Sequence, residues 1–180
     1  MDSNLVLSYI VLLIILLSGA AFFVLRQAFK TRRMESTMQK LQQKASTREA
    51  TAKDYYELGS IYLDKRLFAQ AVTQLQQALK NRDDMEPENL AIIYNALGYG
   101  YVAQEQYDMA LRQYKSAVKA FPEYATAWNN LAFAYEKKQL IPQALEAYEN
   151  VLGIEPGNSV AKRRAGSLRK RVAPPAASEG

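Results

Sequence analysis

The 180-residue sequence predicts an all-α protein with an N-terminal transmembrane helix, an α-solenoid of three helix pairs and a C-terminal capping helix. Three observations support this fold class. A run of 21 residues without a charged side chain, Leu5–Leu25, is long enough to cross a bilayer. Three later segments share residue types at intervals near 34 residues, the length of a helix–turn–helix repeat. A short amphipathic segment then follows, with an apolar side that suits the end of a helix stack.

Residues 1–25 are predicted to form an uncleaved membrane anchor. A helix of 21 residues is about 31 Å long, which matches the hydrocarbon thickness of a bilayer. A buried core helix would normally show a polar face, and this segment has none. A cleaved signal peptide is the alternative, because residues 18–20 (SGA) resemble a cleavage site. However, the first four residues lack the positive charges that precede the apolar run of a signal peptide, so the anchor is favoured.

Basic residues directly after the apolar run predict the orientation of the anchor. Such residues stay on the cytoplasmic side, so the short N-terminus is expected outside and everything after Arg26 in the cytoplasm. These basic residues are Arg26, Lys30, Arg32 and Arg33. Residues 26–51 contain no Gly or Pro and many good helix formers, which predicts a basic, solvated helical spacer in front of the repeats.

Three windows, 52–85, 91–124 and 125–158, carry matching residue types. The equivalent positions are Tyr55, Tyr94 and Trp128 (aromatic), Leu58, Leu97 and Leu131 (apolar), Gly59, Gly98 and Ala132 (small), and Ala71, Ala110 and Ala144 (small, in the second helix). The small positions are 39 and then 34 residues apart, and the surplus falls in the polar stretch 81–87. This pattern resembles the tetratricopeptide repeat (TPR) family, which implies stacked pairs of helices, A and B, that bind proteins.

The resemblance also implies that the A helices line a groove on the concave side of the solenoid. The positions expected to face this groove follow the first aromatic position of each repeat by one residue and by one further helical turn. They are Tyr56 and Ser60, Asn95 and Tyr99, and Asn129 and Phe133. Their aromatic rings would contact apolar groups of a bound protein, and their amides would bond its backbone. The alternative is that these aromatic side chains only pack against one another.

The composition excludes most catalytic chemistry. With no His and no Cys, the chain has no imidazole base, thiolate nucleophile, disulfide or cysteine-bound metal, and it contains no glycine-rich phosphate loop. We therefore expect no enzyme activity, no cofactor, no metal and no small-molecule substrate. The net charge of +5 is uneven, because residues 52–158 carry ten basic and fourteen acidic side chains. An acidic body between basic ends does not suit a nucleic-acid partner.

Residues 159–172 are predicted to form the capping helix, with Val160, Ala165, Leu168 and Val172 facing the last repeat. Its six basic side chains are expected to form a solvated face; an acidic partner or anionic lipid is the alternative. Residues 173–180 are predicted to be a disordered tail.

A narrower resemblance concerns nearly the whole chain. The anchor segment, MDSNLVLSYIVLLIILLSGAAFFVLRQAFKTRR, and the second and third repeats are similar to the photosystem I assembly TPR proteins of cyanobacteria and algal plastids. This resemblance implies a thylakoid-anchored scaffold whose repeats, on the cytoplasmic or stromal side, bind photosystem I subunits. Two alternatives stay open. One is a bacterial inner-membrane TPR scaffold for secretion, envelope or pilus assembly, and the other is a lipid- or nucleic-acid-responsive basic segment at 159–180.

Overall fold

The computed structural model describes residues 3–83 and 85–172, and over those residues the chain forms eight helices and no strand. The all-α prediction is therefore confirmed. The helices are α1 (Ser3–Ser46), α2 (Ala52–Asp64), α3 (Phe68–Lys80), α4 (Pro87–Val102), α5 (Tyr107–Ala120), α6 (Ala125–Lys137), α7 (Ile141–Ile154) and α8 (Ser159–Val172). The predicted disordered tail, 173–180, lies outside the described residues.

The six central helices form three pairs, α2 with α3, α4 with α5 and α6 with α7, and each pair is joined by a short turn. In every turn one non-glycine residue adopts the left-handed conformation, with φ of 59° or 60°. These residues are Arg66, Glu105 and Gln139. The N–H of the residue that follows donates to the carbonyl of a Tyr five positions earlier, at 2.8–2.9 Å, which closes the end of helix A. The same turn geometry thus recurs in all three pairs.

The A helices lie on the inner side of the stack. Helix α4 contacts both α2 and α6 in addition to its own partner α5. Direct contact between successive A helices places them closer together than the B helices, so the solenoid curves around them. On this concave side, the faces of α2, α4 and α6 that do not pack on the B helices form the walls of a groove.

The surplus of five residues between the first two repeats is divided between a helix and a loop. Helix α4 begins eleven residues before Gly98, whereas α6 begins seven residues before Ala132, which adds four residues. The connection between α3 and α4 is two residues longer than that between α5 and α6, and α3 is one residue shorter than α5. The second A helix therefore begins before the predicted window 91–124, at Pro87, whose missing N–H costs little in the first turn.

The first two repeats close because a small residue on helix A faces a large residue on helix B. At Gly98, a Cβ atom would lie 2.5 Å from Cε1 of Tyr114, far inside the contact distance of two carbon atoms. At Gly59, a Cβ atom would lie 2.8 Å from Cγ of Leu75. Because Tyr114 and Leu75 are themselves buried, neither can move aside freely. The close approach of the two helices thus depends on the absent side chain.

Helix α8 covers the end of the solenoid by packing on α7, and of the four residues predicted to face the last repeat Ala165 and Leu168 are buried. The prediction that Val160 and Val172 face the last repeat is wrong, since these side chains are 41% and 46% exposed. The buried residues are Ala161, Ala165 and Leu168. They follow the i, i+4, i+7 spacing of one helix face, whereas Val160 points about 100° away from Ala161.

Helix α1 is the one helix in the described part of the chain that is long and apolar enough to cross a membrane. Its 44 residues span about 66 Å, so the predicted anchor and spacer form one continuous helix. None of its apolar part is buried, and the large apolar side chains from Leu7 to Leu25 are at least 48% exposed. A continuous apolar surface of this size marks contact with lipid or with another protein.

The spacer differs from the predicted solvated helix in two respects. Helix α1 ends at Ser46, and a turn follows in which Arg48 has φ of 59°. The last turns of α1 do not stand free in solvent, because Leu41 is only 5% exposed and lies in an apolar cluster with Leu58 and Tyr62 of α2. Burial of one Leu of this kind is worth about 2 kcal/mol, which favours a fixed position of α1 against the repeats.

Polar contacts set the register of α1 against α2. They join Glu35 to Lys65, Gln42 to Tyr62 (2.8 Å) and Lys44 to Asp54 (2.7 Å). Residue numbers rise along α1 as they fall along α2, so the two helices are antiparallel. The end of α1 therefore takes the place of helix B of a preceding repeat and covers the N-terminal end of the solenoid.

Asp54 joins this contact to the start of α2. Its carboxylate accepts hydrogen bonds from Lys44 Nζ (2.7 Å) and from the Thr51 N–H (2.9 Å), and the Thr51 hydroxyl accepts from the Asp54 N–H (3.2 Å). The hydrogen bond from Lys44 is the main cause that lowers the pKa of Asp54 to about 2, and the Thr51 backbone adds to it. The ionised form is thus the one that the folded protein stabilises.

We expect Asp54→Asn to lower the free energy of unfolding by about 1 kcal/mol at pH 7, because it removes a charged partner from the cap and from Lys44. The folded pKa lies below the unfolded one, so the contribution is complete above about pH 5 and is lost as the pH falls toward 2. Urea midpoints of both proteins between pH 7 and pH 2.5 measure this. A difference that stays constant with pH would contradict the assigned role of the carboxylate.

Candidate protein-binding groove

Six side chains were predicted to line the groove, and all of them lie in the A helices α2, α4 and α6. Within each helix the two predicted positions are four residues apart, so they share one face. Tyr99 is exposed, and the others are half-buried: Tyr56, Ser60, Asn95, Asn129 and Phe133. No aromatic ring of the predicted stripe is closed off from solvent, so a ligand can reach all three.

Tyr99 is the most exposed large apolar side chain in the described part of the repeats, at 50%. It follows Gly98 directly, so its backbone is held where α4 packs on Tyr114. Burial raises the pKa of Tyr114 above its ordinary value, and the neighbouring Tyr99 adds to the shift. An exposed ring on a backbone fixed by core packing provides apolar contact area at a low entropic cost.

Asn95 connects the second and third repeats. Its Oδ1 accepts a hydrogen bond from Asn130 Nδ2 at 2.9 Å, and its Nδ2 donates to the Tyr124 hydroxyl at 3.5 Å. An Asn amide has two N–H groups and two carbonyl lone pairs, so one of each is left for a ligand. The side chain is therefore held in a defined orientation and can still bond a peptide group.

Tyr124 belongs to the groove although sequence reasoning missed it. It lies in the loop before α6, where its ring stacks near Phe121 with the centroids 6.3 Å apart. Burial is the main cause that raises the pKa of Tyr124, the proximity of Tyr56 adds to the shift, and the hydrogen bond from Asn95 opposes it. Tyr124 thus contacts Asn95 of the second repeat and lies near enough to Tyr56 of the first for the two rings to influence each other. Its position outside the repeated helical pattern explains why spacing gave no signal for it.

Asn129 presents an unused acceptor. Its Oδ1 is buried, and among the described residues it has no hydrogen-bond partner. Leaving such an atom unpaired costs about 1–3 kcal/mol, and because this oxygen has no contact with solvent, a donor from a bound chain would reach it only after the side chain turns toward the groove. Ser60 is different, because its hydroxyl donates to the Tyr56 carbonyl at 2.9 Å within α2. Ser60 therefore contributes less to recognition than its position predicted.

The C-terminal end of the groove is charged. Lys137 Nζ lies 5.4 Å from the centroid of the Phe133 ring, a cation–π arrangement. Glu136 accepts a hydrogen bond from the Tyr148 hydroxyl at 2.6 Å and pairs with Arg164 of α8 at 3.5 Å. The capping helix thus supplies a cation to a shallow cavity of about 240 Å³ beside Phe133. Glu136 follows Phe133 by about one turn of α6, and the sequence gave no sign that α8 reaches it.

Comparisons with known proteins agree with this geometry. Two tetratricopeptide repeat family models match the chain, one over residues 53–84 and one over residues 95–159. The tetratricopeptide repeat domain-containing protein PYG7, chloroplastic, of Arabidopsis thaliana is 41% identical over 92% of this chain, which spans only 55% of that protein. The uncharacterized protein ycf37 of Cyanophora paradoxa is 36% identical over 91% of this chain and 95% of its own length.

Solved structures share the fold. The crystal structure of MamA superposes with a TM-score of 0.71 at 20% identity, covering 79% of this chain and 80% of that one. At this level of identity the similarity concerns the arrangement of helices alone. The predicted resemblance to tetratricopeptide repeats is confirmed by the family models and by this arrangement together.

Proposed function

This chain belongs to the family of tetratricopeptide repeat proteins that contains ycf37, and from that membership we propose that it is a membrane-anchored scaffold that binds protein subunits during photosystem I assembly or stabilisation. The observation that carries the proposal is the open groove of Tyr56, Tyr99 and Phe133, flanked by amides, in a chain that also has an uncovered apolar helix. The similarity of the anchor and repeats to photosystem I assembly proteins supports the choice of complex. The name of the Arabidopsis relative, which includes the word chloroplastic, supports a photosynthetic membrane.

The proposed location is the thylakoid, with a single membrane span near the N-terminus. The apolar part of α1 would lie in the bilayer, where its uncovered side chains contact lipid. Basic residues follow at Arg26, Lys30, Arg32 and Arg33, and by the positive-inside rule they support an orientation with the repeats on the cytoplasmic or stromal side.

The proposed mechanism is tethered binding. A groove confined to the membrane surface meets membrane-bound subunits at a high effective concentration. Because the end of α1 is packed on α2, the groove would also keep a set orientation to the bilayer. A bound subunit would have its exposed apolar surface covered until the next partner replaces the scaffold. Binding rather than catalysis is proposed, since a chain without His or Cys cannot pass on an iron–sulfur cluster or ligate chlorophyll through imidazole.

The double variant Tyr99→Ala/Phe133→Ala tests the groove. We expect co-purification of photosystem I subunits from detergent-solubilised membranes to fall at least about tenfold, because two aromatic contact residues are removed. Helix content and the urea midpoint should stay close to those of the wild-type protein, since neither ring is buried in the core.

The matched control is Tyr107→Ala/Met109→Ala, which removes one aromatic and one large apolar side chain from α5, outside the groove. This control should retain the photosystem I subunits. Undiminished co-purification by the groove variant would count against the groove, and capture of secretion or envelope proteins instead would count against photosystem I.

A further inference from the structure

A second concave feature lies beside the first repeat, against a face of α2 other than the one that carries Tyr56 and Ser60. It is a cleft of about 730 Å³ between α1 and α2. One wall carries Arg26, Lys30 and Arg33 of α1, whose spacing of four and three residues puts them on one helix face. The other wall carries Glu57 and Asp64 of α2.

The charged side chains of this cleft do not form ion pairs with one another. Within the described residues, none of these five side chains forms an ion pair within 4 Å, although Glu35 and Lys65 pair nearby. Three cations and two carboxylates give the cleft a net charge of +1. A ligand with one negative charge would neutralise it, whereas a zwitterionic ligand would leave one cation without a partner.

The antiparallel register of α1 and α2 gives the distance of each wall from the apolar segment of α1. Glu35 of α1 lies beside Lys65, at the end of α2. Arg26 is nine residues before Glu35 and therefore about 13 Å further toward the apolar segment. The cations thus lie at the end of the uncharged run, and the carboxylates lie on the side of the repeats.

Apolar rings extend the cleft into that boundary. Phe23 belongs to the uncharged run and Phe29 lies one turn after Arg26, and both line the cleft with 68% and 70% exposure. A phospholipid has this same order of groups: acyl chains and glycerol, then the phosphate, then a polar end in water. Hydroxyl groups at that end would donate to Asp64, which the register places nearer to the cations than Glu57.

We propose that this cleft binds the headgroup of an anionic membrane lipid with a single negative charge. Arg26, Lys30 and Arg33 hold the anionic group, Phe23 and Phe29 contact the apolar portion, and the carboxylates of α2 limit the charge that the site accepts. The proposal rests on the proposed membrane anchor, because the anchor places the cleft at headgroup depth. A bound lipid would touch both α1 and α2 and so stabilise the docking of the repeats on the anchor.

Native mass spectrometry of the full chain in detergent tests the proposal. The probes are phosphatidylglycerol and phosphatidylethanolamine with identical acyl chains. We expect the wild-type chain to retain phosphatidylglycerol at least about tenfold more than phosphatidylethanolamine. The variant Arg26→Gln/Lys30→Gln/Arg33→Gln should lose this preference.

The matched control is Arg32→Gln/Lys40→Gln/Arg48→Gln, which removes the same charge from exposed positions of the same region outside the cleft. It should keep the preference. Equal loss in both variants would show diffuse attraction to anionic lipid, and equal retention of the two lipids by the wild-type chain would show no site. Either result overturns the proposal.

Extraction of membranes with alkaline carbonate separates this proposal from that of the anchor. A chain that stays in the membrane but shows no lipid preference contradicts the cleft alone. A chain that is extracted contradicts the anchor, and with it the depth argument on which the lipid assignment rests.

Discussion

Replacement of Tyr114 by Ala is expected to lower the free energy of unfolding by about 3–5 kcal/mol, which is the usual cost of deleting a buried aromatic ring. Tyr114 is 2% exposed and fills the space opposite Gly98, so its removal opens a cavity between α4 and α5. The urea midpoint followed by fluorescence of Trp128 measures the effect. This single Trp donates to the Pro122 carbonyl at 2.8 Å, at the junction of the second and third repeats.

A second experiment tests whether the close contact between Gly98 and Tyr114 sets the packing of α4 on α5. Gly98→Ala should cost about 1–3 kcal/mol alone, because the added Cβ would lie 2.5 Å from the Tyr114 ring. In a Tyr114→Leu background the same change should cost much less, since the smaller side chain frees that space. Gly153→Ala in α7 is the control, because its added Cβ meets no atom within 4 Å and should stabilise the helix by about 0.5–1 kcal/mol. Equal costs of Gly98→Ala in both backgrounds would contradict the packing explanation.

The helix pairs could be predicted from sequence because this small-to-large contact recurs. Gly59 and Gly98 face large residues at the same offset in their repeats, so spacing alone located both helices of each pair. The turns were predictable for their polarity but not for their left-handed residues, because Arg66 and Glu105 carry no conformational signature. Left-handed geometry at these positions is imposed by the packing of the two helices that they join.

The groove was predictable only in part, for a related reason. Tyr99 and Phe133 lie at repeated positions of the A helices, so their location followed from the repeat. Tyr124 and Arg164 come from a loop and from the capping helix, where no repeat exists to fix a register. Two of the four residues predicted to face the last repeat from α8, Val160 and Val172, were assigned wrongly. A helix with many charges contains two overlapping apolar spacings, and only contact with α7 distinguishes them.

The docking of α1 on the first repeat gave the weakest signal in the sequence. Leu41 and Met38 are isolated apolar residues in a polar segment, and a solvated helix tolerates a few of these without any packing role. Their contact with Leu58 and Tyr62 becomes apparent only when the turn after Ser46 reverses the chain. This contact decides whether the groove is rigidly connected to the apolar part of α1 or moves relative to it.

Leu41→Asp is therefore expected to separate α1 from the repeats. The change removes packing worth about 2–5 kcal/mol and places a carboxylate among apolar side chains without a partner. Since the chain has no native Cys, the substitutions Arg32→Cys and Arg112→Cys provide two defined sites for spin labels, one on α1 and one on α5. The distance distribution between these labels should be narrow in the wild-type background and broad in Leu41→Asp, while far-UV circular dichroism stays the same.

Gln39→Asp is the matched control, because it introduces the same charge two residues away at an exposed position of α1. Its distance distribution should remain narrow. If binding requires a set orientation of the groove, Leu41→Asp should reduce the capture of a membrane-bound subunit more than the capture of a soluble fragment of that subunit. Only capture of the membrane-bound subunit depends on the orientation of the groove relative to the bilayer. A narrow distribution in Leu41→Asp, or equal loss of both ligands, would show that the groove does not depend on this contact for its orientation.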